Sequence, residues 1–176
     1  WTLRFWNFSF VPLWGISQGF QPAAGTNYGA KDYDRVKTLT RVFIIAATLL
    51  SLVFYIPAEL FPEKILSMFL TTPGIAASGA TNFRIMFSTY ILQGSFLIAV
   101  TLFQSLGKAN KATWLVLFRQ IILFIPLCVI LPMIGGMGIR GVWLAIALTD
   151  AILVAIIAFM VAYEFRKLPA TSSVNR

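Results

Sequence analysis

Four long apolar runs, separated by short charged segments, constrain this chain more than any other feature of its sequence. They cover residues 42–58, 85–106, 114–134 and 142–163, and a shorter, more polar run covers residues 5–20. Because an α-helix rises about 1.5 Å per residue, about 20 apolar residues cross the hydrocarbon core of a bilayer. The runs do not alternate polar and apolar residues as the strands of a membrane barrel do. They therefore predict membrane-spanning helices.

The predicted fold class is an all-α membrane protein, a polytopic transmembrane helix bundle with about five spans. We place these spans at about residues 5–24, 38–60, 82–106, 113–134 and 141–164. Composition agrees, since 59% of the residues are hydrophobic and 11% are charged, whereas soluble domains carry about 25% charged residues. The chain begins at Trp1, inside an apolar run, and we expect it to be a fragment of a longer protein.

Basic residues concentrate in three connecting or terminal segments, around residues 31–37, around residues 107–112 and in the C-terminal tail. The positive-inside rule predicts that these three segments lie on the cytoplasmic side of the membrane. The net charge of +8 is then a consequence of membrane topology, and we expect no nucleic-acid partner. On the opposite side, the stretch "PEKILSMFL" has the apolar spacing of a short helix at the membrane interface.

The sequence excludes several kinds of chemical site. It contains no histidine, and its single cysteine, Cys128, lies inside an apolar run, so neither a disulfide nor a Cys/His metal site is available. The stretch "GTNYGAKD" has the glycines and lysine of a phosphate loop but not the GxxxxGK[ST] spacing, and a helical run precedes it. No catalytic set of residues is present. We predict no enzyme activity, no metal site and no cofactor.

Asp150 is the acidic residue that lies deepest in a predicted span, where a charge is costly and suggests a functional site. Its depth does not match that of Arg119, which we expect to snorkel near the cytoplasmic end of its helix, nor that of Arg84. We therefore expect Asp150 to be protonated, exposed to water in a cavity, or bonded to a hydroxyl such as Thr149. Whether its role is functional or structural stays open.

Uncharged polar residues and prolines also occur inside the spans. Amides in a membrane helix either hold helices together or line a solute path, and the candidates are Asn7, Gln18, Gln21, Gln93 and Gln120. A proline removes a backbone donor from its helix and kinks it, and the predicted kink sites are Pro22, Pro126 and Pro132.

Three blocks of the sequence, in order, resemble the multidrug and toxic compound extrusion (MATE) family. The stretch "GFQPAAGTNYGAKDYDRVK" is similar to the end of the family's eighth helix, with matches at Gly19, Gln21, Pro22, Gly25, Asn27, Gly29 and Ala30. The second block is similar to the region of the tenth and eleventh helices, with Phe103, Gln104, Gly107, Lys108, Arg119, Gln120, Pro126 and Pro132. The third is similar to the start of the twelfth helix, with Gly141, Val142, Trp143 and Asp150.

The resemblance implies a twelve-helix transporter with two six-helix lobes, in a bacterial inner membrane. Residues 1–170 would form most of the C-terminal lobe, residues 171–176 a cytoplasmic tail, and the N-terminal lobe of the same protein would be the partner. Such proteins export small organic compounds, including drugs, in exchange for Na⁺ or H⁺ by alternating access. The path candidates on the first helix are Asn7, Gln18 and Gln21.

Two points stay open at the level of sequence. In part of the family a cation site in this lobe uses carboxylates of the seventh and tenth helices, but residues 85–106 contain no Asp or Glu. In another part of the family an Asp of the first helix couples to protons, and neither the first nor the seventh helix would belong to this chain, so the coupling ion is undetermined. The alternatives to an exporter are a lipid-linked saccharide flippase of the same superfamily and a membrane scaffold that does not transport.

Overall fold

The computed structural model describes residues 2–69, 75–134 and 138–168, and every regular element in these ranges is helical. The elements are α1 (Thr2–Gly29), α2 (Tyr33–Leu60), α3 (Pro62–Phe69), α4 (Ile75–Phe87), α5 (Tyr90–Ser105), α6 (Ala109–Leu117), a π segment (Phe118–Phe124), α7 (Ile125–Met133) and α8 (Ile139–Lys167). The predicted all-α class is confirmed.

Helix α5 lies at the centre of the bundle and packs against α1, α2, α6 and α8. One core lies between α1, α2 and α5, where an aromatic cluster joins Trp6 to Phe87 and Tyr90 at ring separations of 5.4 and 5.1 Å. A second core, which includes Phe103 and Leu153, lies between α5, α6 and α8. Together these cores hold the described helices around α5.

Small residues allow α5 to approach α2 closely. A Cβ atom built at Gly94 would lie 2.9 Å from the Cβ of Ala47 and 3.0 Å from its carbonyl group, so no larger side chain fits without movement. Membrane helices associate through such small-residue contacts because lipid tails provide no hydrophobic driving force between them.

Four helical stretches within the described residues are long and apolar enough to cross a membrane, namely Tyr33–Leu60, Gly79–Ser105, Ala109–Met133 and Ile139–Lys167. They correspond to four of the predicted spans. The first predicted span lies in α1, which has 28 residues but is less apolar and is not among the four. That α1 crosses the membrane stays a prediction. The stretch "PEKILSMFL" forms α3, up to Phe69, as a short helix.

The helix from Ala109 to Met133 changes its hydrogen-bonding pattern at the π segment. The amide of Ile125 bonds to the carbonyl of Gln120, five residues earlier, and Pro126 follows directly. Pro126 has no N–H to bond to Ile122, so the regular α-helical pattern is interrupted at this point in any case. The other two predicted kink sites, Pro22 and Pro132, lie inside α1 and α7 respectively.

The segments around residues 31–37 and 107–112 lie at the same end of the bundle as the end of α8. Lys108 and Lys111, after α5, contact Glu164 near the end of α8. Ser105 at the end of α5 donates a hydrogen bond to the carbonyl of Gln21 in α1, at 3.2 Å. Lys37, near the start of α2, lines a pocket together with Phe165, near the end of α8. We call this the basic end of the bundle.

Candidate functional site

Asp150, on α8, lies at the centre of a buried polar network that joins three parts of the bundle. Its side chain is only 3% exposed. Its Oδ1 atom accepts hydrogen bonds from Nη2 and Nε of Arg119, at 2.9 and 3.2 Å. Its Oδ2 atom accepts from Nε2 of Gln93, at 2.6 Å, and from Oγ1 of Thr89, at 3.4 Å. The carboxylate is therefore fully paired and hydrogen-bonded.

The expectation that Arg119 lies too near the cytoplasmic end to reach Asp150 is wrong. The helix begins at Ala109 and not at the start of the apolar run, so Arg119 lies about 15 Å along it at 1.5 Å per residue. Depth can also be counted from the end where α7 stops, near residue 133, and α8 begins, near residue 139. Counted from there, Arg119 and Asp150 differ in depth by about 5 Å. The long arginine side chain spans this difference.

Of the three alternatives expected for Asp150, a bond to a hydroxyl is found, but Thr149, the example named for it, is not the partner. Thr89, at the start of α5, provides the hydroxyl instead. Oγ1 of Thr149 is buried and has no hydrogen-bond partner among the residues that the structure describes. Adjacent residues on a helix point about 100° apart, so Thr149 and Asp150 face different neighbours.

Arg119 extends from the π segment, and its guanidinium lies 5.2 Å from the ring centre of Phe96 as well as against Asp150. A planar guanidinium suits both contacts, a carboxylate at its edge and an aromatic ring at its face. Two charges in a membrane interior are tolerated when they neutralise each other and their remaining hydrogen bonds are made. The network therefore fastens α5, the π segment and α8 to one another.

A cavity of about 220 Å³ lies beside this network. Arg119 lines it, and the other lining residues are Trp6, Met86, Gln120, Phe124, Ile146 and Thr149. The cavity thus meets α1, the end of α4, the π segment and α8, and it presents one cation and one amide among mostly apolar side chains. It has room for a small molecule or for side chains of a neighbouring segment.

A second buried charge cluster lies at the basic end. Glu164 is fully buried, and its two carboxylate oxygens contact the ammonium groups of Lys108 and Lys111, the latter at 2.5 Å. Burial, followed by the charges of Lys111 and Lys167, lowers the pKa of Lys108, while Glu164 supplies the opposite charge that holds the cluster together. The turn between α5 and α6 is thereby fixed to the end of α8.

Residues 1–130 of the chain match the family model MatE. The chain belongs to the MatE family. The family is one of multi-pass membrane transporters, which agrees with the four apolar helices of this chain. No match was found among curated protein sequences.

Solved transporter structures share the MatE fold of this chain. A MATE multidrug transporter, DinF-BH, solved as a complex, is 35% identical over 92% of this chain and 36% of its own, with a TM-score of 0.83. An inward-facing MATE family transporter of the MOP superfamily is 19% identical over 98% of this chain and 40% of its own, with a TM-score of 0.87.

A third structure, a MOP superfamily transporter from Pyrococcus furiosus, is described as having a binding pocket of reversed polarity that suggests a different function. It is 19% identical over 94% of this chain and 37% of its own, with a TM-score of 0.88. At that identity the likeness concerns the fold alone. The chain spans between a third and two fifths of the length of the solved transporters it matches.

The structure separates the predicted amide candidates into two groups. Gln93 bonds to Asp150, and Gln120 lines the cavity beside Arg119. Asn7, Gln18 and Gln21 are exposed on α1 and do not join this network. Sequence reasoning does not single out Arg119, Thr89 or Glu164 as site residues. The feature of the sequence that could have identified Arg119 as a site residue is its positive charge inside a long apolar run.

We expect that Glu164→Gln in the full-length MatE protein lowers the free energy of unfolding by about 1–2 kcal/mol, because two lysines lose a charged acceptor. The partial exposure of both ammonium groups limits the loss, since each can turn toward water. Thermal unfolding of the purified protein measures it. Glu63→Gln, at an exposed site, is the control and should change stability by less than about 0.5 kcal/mol. Equal effects of the two variants would contradict a stabilising role for Glu164.

Proposed function

We propose that this chain forms the C-terminal lobe of a transporter that exports small organic compounds, including drugs, in exchange for Na⁺ or H⁺. The membrane would be the bacterial inner membrane, with the loops at residues 31–37 and 107–112 and the C-terminus in the cytoplasm. Two conformations, open to opposite sides, would exchange as substrate and cation bind them with different affinities.

The observation that carries this proposal is a pair of exposed amides on α1, which share their face of the helix with the exposed apolar side chains of Val11 and Trp14. The helix buries Leu13, Ser17 and Phe20 against the rest of the bundle. On the other side, Asn7 and Gln18 are exposed and lie eleven residues apart, which is about three helical turns, so they share a face. Amides are unfavourable against lipid tails, and α1 is less apolar than the four helices that could cross a membrane. This face suits a water-filled path between two lobes.

The hydrogen bonds and ion pair of Asp150 affect whether its carboxylate can bind the coupling cation. A carboxylate that already accepts from a guanidinium, an amide and a hydroxyl offers few electron pairs to Na⁺, and its charge is neutralised. We therefore propose that Asp150 and Arg119 stabilise this lobe and that carboxylates elsewhere in the full-length protein bind the coupling cation. Gln21, near the end of α1, would contact solute where the path opens at the basic end.

The test uses the full-length transporter in bacterial cells that lack other drug exporters. We expect Asn7→Ala/Gln18→Ala to lower the rate of export of a fluorescent organic cation by about tenfold, which corresponds to the loss of two ordinary hydrogen bonds. Asn110→Ala, at an exposed amide near the loop after α5, is the matched control and should export normally. Equal rates for all three proteins at equal expression would contradict the proposed path.

Two further measurements separate the remaining possibilities. Collapse of either the proton gradient or the sodium gradient should stop export, and the gradient that does so identifies the coupling ion. If deletion of the gene leaves dye export unchanged but causes lipid-linked cell-wall precursors to accumulate, the flippase alternative replaces the exporter. Because fold does not determine substrate, this comparison must be made in cells.

A further inference from the structure

A pocket with both basic and apolar walls lies between α2 and α8 at the basic end. It has a volume of about 300 Å³. Its walls are Lys37, Thr40, Arg41, Ile44, Ile45 and Phe165. The two basic side chains come from the first turns of α2, and Phe165 comes from the last turns of α8.

An apolar groove of about 350 Å³ continues from this pocket toward the middle of the bundle. Pocket and groove share Ile44 and Phe165, and the walls of the groove also include Ser95, Val154, Ala158 and Ala162. We call the combined feature the α2–α8 groove. It therefore has a cationic mouth at the end of two membrane-spanning helices and an apolar channel that runs along them.

We propose that the α2–α8 groove binds an anionic glycerophospholipid. Lys37 and Arg41 would contact the phosphate and the charged headgroup, and one acyl chain would lie in the apolar part. Basic pockets between membrane helices bind anionic lipid headgroups, and each basic residue near a charged membrane surface favours binding. Arginine and lysine both donate to phosphate oxygens. The proposal does not depend on whether the full-length protein is an exporter.

The position of the basic residues along α2 agrees with a lipid headgroup. Lys37 and Arg41 lie about 6 and 12 Å from the start of α2, at 1.5 Å per residue. Long basic side chains extend from such depths toward the membrane surface. On the same helix, Ile45, Leu49 and Val53 are exposed and lie one turn apart, a pattern typical of a face in contact with lipid. The groove therefore opens toward the bilayer.

The charges around the mouth of the groove favour an anion. Lys37 also contacts Asp34, at 3.6 Å, in an exposed pair that weakly offsets its charge. Glu164, next to Phe165, is neutralised by Lys108 and Lys111 on another side of α8. Arg41 lines the pocket, and Arg166 and Lys167 follow Phe165 in the last turn of α8. The excess charge at the mouth is thus positive.

The experiment compares lipids bound to the purified full-length transporter by native mass spectrometry. Phosphatidylglycerol and phosphatidylcholine with identical acyl chains are supplied at equal concentration. We expect tighter retention of phosphatidylglycerol, and we expect Lys37→Gln/Arg41→Gln to weaken that retention by about tenfold without changing the retention of phosphatidylcholine. Lys31→Gln/Arg35→Gln is the matched control, because both residues are exposed at the same end but do not line the pocket, and it should bind like the unmodified protein.

A second variant tests the apolar part of the groove. Ala158→Phe places a ring in the channel and should displace phosphatidylglycerol while both basic residues remain. Glycerol phosphate without acyl chains should neither bind nor compete at the same concentration. The proposal is overturned if the Lys37/Arg41 variant retains phosphatidylglycerol normally, if both lipids bind equally, or if glycerol phosphate competes fully. It is also overturned if Ala158→Phe dissociates a dimer, since a second copy would then occupy the groove.

Discussion

Replacing Asp150 with leucine is expected to lower the free energy of unfolding of the full-length transporter by about 3–5 kcal/mol. The substitution removes the partner of Arg119 and leaves a guanidinium in the membrane interior beside an apolar ring. It also leaves the side-chain amide of Gln93 without its acceptor. Chemical or thermal unfolding of the purified protein measures the loss.

The matched variant Asp150→Leu/Arg119→Met removes both charges and should recover most of this stability, because no unpaired charge remains. Asp150→Asn separates a role in stability from a role in transport. It keeps the shape of the side chain, so a loss of export at normal stability would show that the charge itself acts in transport. If Asp150→Leu alone were as stable as the unmodified protein, the ion pair of the structure would be wrong.

Gly141→Ala is expected to destabilise the protein by about 3 kcal/mol, at the upper end of the usual cost of overpacking. A Cβ atom at this position would lie 2.5 Å from the nitrogen of Pro132 and 2.7 Å from the carbonyl carbon of Leu131. These are backbone atoms, so the clash cannot be relieved by rotating a side chain. The start of α8 would have to move away from α7.

Gly29→Ala serves as the control for Gly141, because nothing lies within 4 Å of a Cβ atom built at Gly29. That variant should be neutral, or slightly more stable, since alanine favours a helix over glycine by up to about 1 kcal/mol. Thermal unfolding of both variants, with native mass spectrometry to confirm folding, measures the difference. Equal melting temperatures would contradict the close approach of α7 and α8.

The membrane-spanning helices could be predicted from sequence because length and apolarity alone decide whether a segment suits a bilayer. The apolar runs at residues 42–58 and 85–106 illustrate this, since they lie in or within one residue of Tyr33–Leu60 and Gly79–Ser105. The resemblance in the stretch from Gly19 to Ala30 points to the family, which the match over residues 1–130 confirms. Neither argument needs a contact between distant residues.

The polar network could not be predicted in the same way, because its contacts depend on where each helix begins and how it turns. The apolar run alone puts Arg119 too near the membrane surface, because α6 extends five residues before that run, to Ala109. The pairing of Gln93 with Asp150 joins residues 57 positions apart. Hydrophobicity carries no information about such pairs.

The burial of Glu164 could not be predicted from the sequence, because an acidic residue near the end of a membrane span ordinarily faces water. In the structure it is fully buried and lies between two lysines that follow another helix. The sequence offers one signal, an acidic residue two and three positions before Arg166 and Lys167, in a region where positive charges predominate. That signal indicates an ion pair but not its partners.

The π segment has a consequence for reading this part of the chain as a repeating pattern. An uninterrupted α-helix advances about 100° per residue, so residues seven apart return to nearly the same side. Each turn between Phe118 and Phe124 holds more residues than an α-helical turn. Residues after this segment therefore lie on a different side of the helix from the one that the α-helical spacing predicts. A row of side chains that lies on the same side of the helix as Trp114 therefore moves to another side before Val129. Substitutions or sequence comparisons that treat residues 109–133 as a single periodic helix will assign the second half to the wrong side.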